Sequence, residues 1–330
     1  MLGQLQILTN DKNLLSDPNN AGSAVGSVQL TALENKHDKL AEYLQASLSN
    51  NSKRAYLSDI QHFLNWGGKI PATSDVVAQY LVAHAESLSN ATLSRRLVSI
   101  GRAHTSQGFA APTKSELVKA TLHGIRRVHG TAQHQVSPIL KADIIAMVEN
   151  LNGLIGLRNR ALLLVGFAGA FRRSELVAVN CTDVSFVEQG MIVHIRRSKS
   201  DQTGHGRKIA IPYARGKCCP VFALKEWLAA SQISSGAIFR PVTKHGLIQE
   251  CALSPDAVAH VVKQRALAAG LDPSNYSGHS LRSGLVTSAA QAGVSANKIL
   301  QQTGHRSLDM MTRYIRDANI FVDNAAGAVL

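Results

Sequence analysis

Four stretches hold the side chains best suited to chemistry: GAFRRSELVAVNCTDV, SGHSLRSG, the tip of GMIVHIRRSKSDQTGHGRKIAIPY, and TGHRSLDMMTRYIRD. In the first, Arg172 and Glu175 stand three apart, a spacing that shares one helix face. Alone, that pair reads equally well as a surface ion pair. His279 and Arg282 repeat the spacing, and the small residues after them, Ser283, Gly284, Ser288, Ala289 and Ala290, allow close packing. Lys199 stands at a hairpin tip, where a long side chain can reach a ligand outside the fold. Alone it is an ordinary surface lysine. His305 and Tyr314 are nine residues apart, about two and a half turns of one straight helix, which would place them on opposite faces. Gly304 can stop the helix before them and Ser307 can cap the next one, so both side chains can face one pocket. Together these groups are cationic or proton-donating, with one latent oxygen nucleophile. They include neither the paired carboxylates of a glycosidase or metal nuclease nor a phosphate-binding glycine loop. Such a set suits a phosphorane carrying extra negative charge, with arginine forks on two oxygens and a tyrosine attacking. A phenol is protonated at neutral pH, so it needs a nearby acceptor and positive charge.

The elements that must position these groups can be read from the rest of the chain. It has 330 residues, 5% aromatics, a formal net charge of +13 and a pI of about 9.8. That length fits about two domains, and the charge points to a polyanionic partner. Residues 1–30 are rich in Asn, Ser, Asp and Gly without a period and read as a flexible tail. Residues 31–130 show five helical stretches, beginning at TALENKHDKLAEYLQASL, and read as a compact DNA-binding bundle. In the second of these, Tyr56, Ile60, Phe63 and Leu64 form the apolar face and Ser52 can cap the start; Ser74 can cap the third. Residues 131–138 read as a linker. Residues 139–330 read as a catalytic domain with helices near 141–151, 156–168, 221–230, 255–270, 279–292, 295–302 and from 308 onward, plus one hairpin with alternating Ile192, His194, Ile209 and Ile211. The fold class expected is mainly α with a small β-hairpin or sheet.

Positive charge is concentrated unevenly. Between Ser89 and Gly130 there are seven Lys and Arg, among them Arg95, Arg96, Lys119, Arg126 and Arg127, against the single acid Glu116. Lys119, His123, Arg126 and Arg127 recur on one helix face, a plausible phosphate-contacting stripe whose plain alternative is a solvated face. Arg197, in the RRSKS stretch, is a further candidate for DNA contact. The four cysteines, Cys181, Cys218, Cys219 and Cys251, make no zinc spacing and are expected to be buried reduced thiols. No basic-then-apolar leader opens the sequence, and the apolar run from Ala161 to Ala170 is too short to span a bilayer, so a cytoplasmic, nucleoid-associated location without membrane contact is expected.

At this point the motifs resemble those of the tyrosine recombinases, the phage integrase family, in particular its simple Cre/Xer-like members. Arg-x-x-Glu is Arg172 to Glu175, the hairpin lysine is Lys199, His-x-x-Arg is His279 to Arg282, Gly-His is Gly304 to His305, and the nucleophile is Tyr314. Each motif is weak alone, but five in order are specific. The resemblance implies DNA strand exchange without metal or cofactor. Tyr314 would form a 3′-phosphotyrosine, Arg172 and Arg282 would clamp the nonbridging oxygens, and Lys199 would protonate the leaving 5′-oxygen. His279 would relay the tyrosine proton, His305 would hydrogen-bond the phosphate, and Glu175 would orient the site. Lys208 is a minor rival to Lys199, and Arg173 to Arg172. The implied partner is a double-stranded site with inverted repeats. It would be synapsed by four protomers through a Holliday junction, with monomer or dimer when free, an accessory protein in some systems, and the C-terminal tail docked on a neighbour. Resolution or integration of a plasmid or mobile element would be the role. A type IB topoisomerase-like enzyme and a DNA-binding regulator without strand exchange are the competing readings. A metal nuclease finds no HxH or carboxylate cluster to support it.

Overall fold

The computed structural model describes residues 47–131, 136–196, 201 and 206–304, together with Lys39 and Tyr43. The chain divides into two compact units, one up to Gln133 and one from His134. The described residues form eleven α-helices and one small sheet, a mainly α fold as expected. Among them, no helix is long and apolar enough to cross a membrane.

Among the described residues, four helices of defined extent build the first unit: α1 (Asn50–Asn65), α2 (Ser74–Ala83), α3 (Asn90–Thr105) and α4 (Glu116–His129). Each is capped by the hydroxyl of Ser49, Thr73, Ser89 or Ser115, which accepts a backbone N–H of the first turn. The caps of α1 and α2 therefore lie ahead of Ser52 and Ser74, where the sequence suggested them. The core is Phe63, Val77, Tyr80, Leu81, Leu93, Leu97, Ile100, Val118 and Ile125. α1 packs on α3 and α2 on α4. Leu64 is exposed rather than part of the apolar face of α1, because the buried face of that helix is centred on Asp59 and Phe63. The helix expected at the start of this unit lies outside the described residues, apart from helical Lys39 and Tyr43.

The second unit is organised around α6 (Gly153–Ala168), which after Arg158, Asn159 and Arg160 is apolar on all sides from Ala161 onward, and which packs on both α8 (Pro220–Ser231) and α10 (Gly278–Gln291). A helix with no polar face must be covered all round, and Leu162, Leu163, Leu164 and Val165 are all buried. The remaining helices are α5 (Lys141–Met147), α7 (Arg173–Val177), α9 (Pro255–Ala268) and α11 (Ala296–Thr303). The expected hairpin is part of an antiparallel sheet in the order β1 (Val184–Val187), β2 (Gly190–Ile195), β3 (Arg207–Pro212). Its core face carries Met191, Val193 and Ile195 with Ile209 and Ile211, so Ile192 and His194 stand on the other face from the one the alternation suggested. The edge strand β1 was not anticipated. Ser137 N–H already donates to the Asn275 carbonyl at 2.7 Å, and Ile139 N–H to Ser280 at 3.0 Å, so the chain joins the second unit within the span read as linker. Of the cysteines only Cys219 is buried; Cys181 and Cys218 are partly covered and Cys251 is exposed, which corrects the expectation for the thiols.

Candidate active site

The turn between α6 and α7 sets the first pair. α6 ends at Gly169, Ala170 takes a left-handed conformation with φ 48°, and Phe171 is buried beneath the turn. Arg172 follows in extended backbone as the N-cap of α7, with φ −68° and ψ 150°. It therefore does not share a helix face with Glu175. Instead the carboxylate folds back over the helix start. Glu175 Oε2 accepts the Arg172 backbone N–H at 3.0 Å, and Oε1 accepts Arg172 Nη1 at 2.6 Å. The Glu175 side chain is only 1% exposed, so this is a buried charge pair and not a surface one. A third donor, Arg207 Nη2 from the start of β3, reaches Oε2 at 3.1 Å.

The second pair lies on the first turn of α10, whose N-terminus is capped by the Ser277 hydroxyl. Arg282 is 1% exposed, and its Nη1 donates to the Ala170 carbonyl at 2.7 Å. It thus holds the turn two residues ahead of Arg172. Close packing is built into α10: a Cβ on Gly284 would collide with the Ile139 carbonyl, and one on Gly278 with the Arg173 side chain. Arg173 itself turns to Asp256 on α9 at 3.3 Å, away from Glu175. The His279 imidazole opens to solvent on one side and is crowded by protein on the other. That partial burial lowers its pKa, and the charges of Arg282, Arg172 and Arg173 lower it further, so the neutral ring is favoured. Two guanidinium groups, those of Arg172 and Arg207, therefore share one carboxylate, a surplus of positive charge suited to an anion.

Helix α11 brings the chain towards the remaining candidates. Gln302 Nε2 donates to the Ala168 carbonyl at 2.9 Å and to that of Ala210 at 3.3 Å, tying α11 to the end of α6 and to β3. Gly304 ends the helix in a left-handed conformation, φ 65°, as its position in the sequence suggested. The chain leaves α11 there from beside Arg207: a Cβ on Gly304 would lie 2.7 Å from Arg207 Cζ. His305 and Tyr314 follow, and they, Lys199 and Arg197 lie outside the described residues. Lys208 is exposed and pairs across the ladder with His194, on the strand face opposite to Arg207.

The basic candidates of the first unit separate into two groups. Lys119, Arg126 and Arg127 lie exposed on α4; Lys119 pairs with Glu116 at 2.7 Å, and Arg126 donates to Ser94 at 2.9 Å. Arg95 is half exposed and bonded to Asp59 at 2.8 Å. Arg96, by contrast, is turned into the bundle, where its Nη1 lies 3.0 Å from Tyr80 Oη and 2.8 Å from His62 Nδ1. Its charge serves the interior. Burial, then the Arg96 charge, lowers the pKa of both His62 and His84.

Arg207 was missed by sequence reasoning. The signal was its parity: it shares the strand face of Ile209 and Ile211, the face turned to the core, where a charge requires a partner. Among the described residues no group of three or more His, Cys, Asp and Glu could hold a metal ion.

Comparison with known proteins bears on this geometry. The sequence profile of the phage integrase family matches residues 132–319. A relative described as an integrase/recombinase xerD homolog, from Selenomonas ruminantium, is 41% identical over 298 residues, covering 87% of each chain. The recombinase cre of Escherichia phage P1 is 25% identical over 281 residues, covering 79% of each. Among solved structures, the XerH site-specific recombinase bound to a palindromic difH substrate in a post-cleavage complex superposes with a TM-score of 0.59 at 19% identity, covering 84% of this chain and 78% of that one.

Proposed function

The chain belongs to the phage integrase family, the tyrosine recombinases, and from that premise we propose that it cuts and rejoins DNA through a covalent bond to Tyr314. The Tyr314 oxygen attacks the phosphorus of a scissile phosphodiester. The bond to the bridging 5′-oxygen breaks, and Lys199 supplies the proton that leaves with it. His279 accepts the tyrosine proton, a task that needs the neutral ring its surroundings favour. Arg172 and Arg282 hold the nonbridging oxygens, His305 donates a further hydrogen bond, and Glu175 fixes Arg172. The phosphotyrosine retains the bond energy, so a 5′-hydroxyl from a second strand reverses the step without ATP. Exchange between two duplexes requires four strands to be cut, hence four copies of Tyr314 and a Holliday junction midway. Arg95, Lys119, Arg126, Arg127 and Arg197 bind phosphates flanking the cut. The biological setting we favour is resolution or integration of a plasmid or mobile element.

One observation carries this reading. Buried Arg282 bonds the backbone two residues ahead of Arg172, whose guanidinium shares a single carboxylate with Arg207 and, like that of Arg282, bears on the His279 ring. The test is a nicked suicide duplex, built on a sequence the protein selects from a randomised pool, followed by a denaturing gel. The wild-type chain should leave a covalent protein–DNA band that is lost in Tyr314→Phe. DNA binding without such a band, or a band that survives in Tyr314→Phe, would overturn it.

A further inference from the structure

The observation not absorbed by this mechanism is Arg207. Its guanidinium shares Glu175 with Arg172 and stands against the Gly304 turn. Its side chain is 19% exposed, and its Nε is buried with no hydrogen-bond partner in the structure. A buried, incompletely bonded arginine is a poor device for stability, since an apolar side chain of similar length is often neutral or better. Arg96 of the first unit also has an unbonded Nε, but it holds a tyrosine and a histidine as well as its carboxylate, whereas the hydrogen bond of Arg207 goes to Glu175.

Charge accounts for it. Arg172 and Glu175 alone form a neutral pair, and a guanidinium neutralised by its own carboxylate attracts a phosphate weakly. A second cation on the same carboxylate leaves the trio with one net positive charge. It bonds Oε2, the oxygen that also takes the Arg172 backbone N–H, while the Arg172 fork bonds Oε1, so one carboxylate is divided between two cations. The same guanidinium abuts Gly304, the residue before His305.

We propose that Arg207 is a positioning residue for strand cleavage, acting through Glu175 to keep the Arg172 guanidinium available to the scissile phosphate. This rests on the reading given under Proposed function. Burial lowers the Arg207 pKa, the Arg172 charge lowers it further, and Glu175 offsets part of that.

The experiment measures single-turnover cleavage of the nicked duplex at saturating protein, with DNA affinity and thermal midpoint measured in parallel. Arg207→Gln should cleave roughly 10–100-fold more slowly, the worth of one charge-assisted hydrogen bond, with little change in affinity. Arg207→Lys, which keeps the charge, should recover part of that loss. Arg207→Met should melt no earlier than the wild-type chain yet cleave as slowly as Arg207→Gln. Glu175→Gln combined with Arg207→Gln should be no slower than Glu175→Gln alone, because the carboxylate through which Arg207 acts has gone. Cleavage at the wild-type rate in Arg207→Gln would overturn the proposal. So would unfolding of Arg207→Met, which would make the residue structural, and so would multiplying effects in the double variant, which would make it an independent contact. If the wild-type chain itself forms no adduct, it is the recombinase chemistry that fails, not the role of Arg207 within it.

Discussion

Each unit buries one carboxylate against two arginines, and the two arrangements differ in what those arginines meet. In the first, Asp59 accepts Arg95 at 2.8 Å and the Ser99 hydroxyl at 2.8 Å, with Arg96 at 3.7 Å. Arg96 Nη1 then reaches Tyr80 and His62, with His84 edge-on to both rings, while its Nε is buried without a hydrogen-bond partner. The cation is consumed inside the bundle, where it ties α1, α2 and α3 together. In the second unit, Glu175 accepts Arg172 and Arg207, but the Arg172 side chain stays 21% exposed and the exposed imidazole of His279 lies beside it. There the carboxylate holds a cation at the surface. A buried ion pair is weak evidence of stability by itself. Each carboxylate holds one more exposed arginine, Arg95 or Arg172, and one inward arginine, so what the comparison teaches lies in what the inward one meets: the Tyr80 and His62 rings for Arg96, the Gly304 turn for Arg207.

The strongest way to break this comparison is at the second unit's site. Arg282→Ala should lower single-turnover cleavage by about 10²–10³-fold, the usual cost of removing one preorganised charge donor. Loss of its bond to the Ala170 carbonyl will also loosen the turn that carries Arg172.

A smaller effect separates the units by pH. His62 and His84 in the bundle have folded pKa values below the ordinary 6.5. The unfolded state therefore binds more protons in the window below about pH 6.5, and stability falls as pH drops through that value towards the lowered folded pKa values. Asp59 works against this at His62, while Arg96 reinforces it at both rings. His84→Gln should flatten the acid side of a thermal-midpoint profile of the whole chain, leaving the His279 contribution in place.

The smallest effect belongs to the surface. Lys119→Ala should weaken DNA binding about equally for all sequences and reduce the slope of log affinity against log salt by about 1. An Arg96→Ala variant should instead lower the thermal midpoint, because Arg96 faces inward.

Much of this was legible before any coordinates. The order and spacing of Arg172, Glu175, His279, Arg282 and Gly304 pointed to an anion site, and the charge pointed to DNA. Capping hydroxyls and apolar periods located most helices to within a few residues. What failed did so for physical reasons. The Arg172–Glu175 spacing reads as helical, yet Arg172 lies just outside α7, because three residues also suit a side chain folding back on a helix start. Arg96 sits among cations in sequence, but only packing reveals that Asp59, thirty-seven residues earlier, draws it inward. β1 is an exposed edge strand with a weak alternation, so its pattern carried little signal.

The most direct test sets the two carboxylates against each other in the matched variants Asp59→Asn and Glu175→Gln. Each would be assayed for thermal midpoint and for single-turnover cleavage at saturating protein, at a temperature where both are folded. The account predicts that Asp59→Asn loses thermal stability but cleaves bound DNA at close to the wild-type rate, whereas Glu175→Gln loses cleavage out of proportion to its change in stability. Equal loss of cleavage in both variants, or a Glu175→Gln chain that cleaves normally, would contradict it.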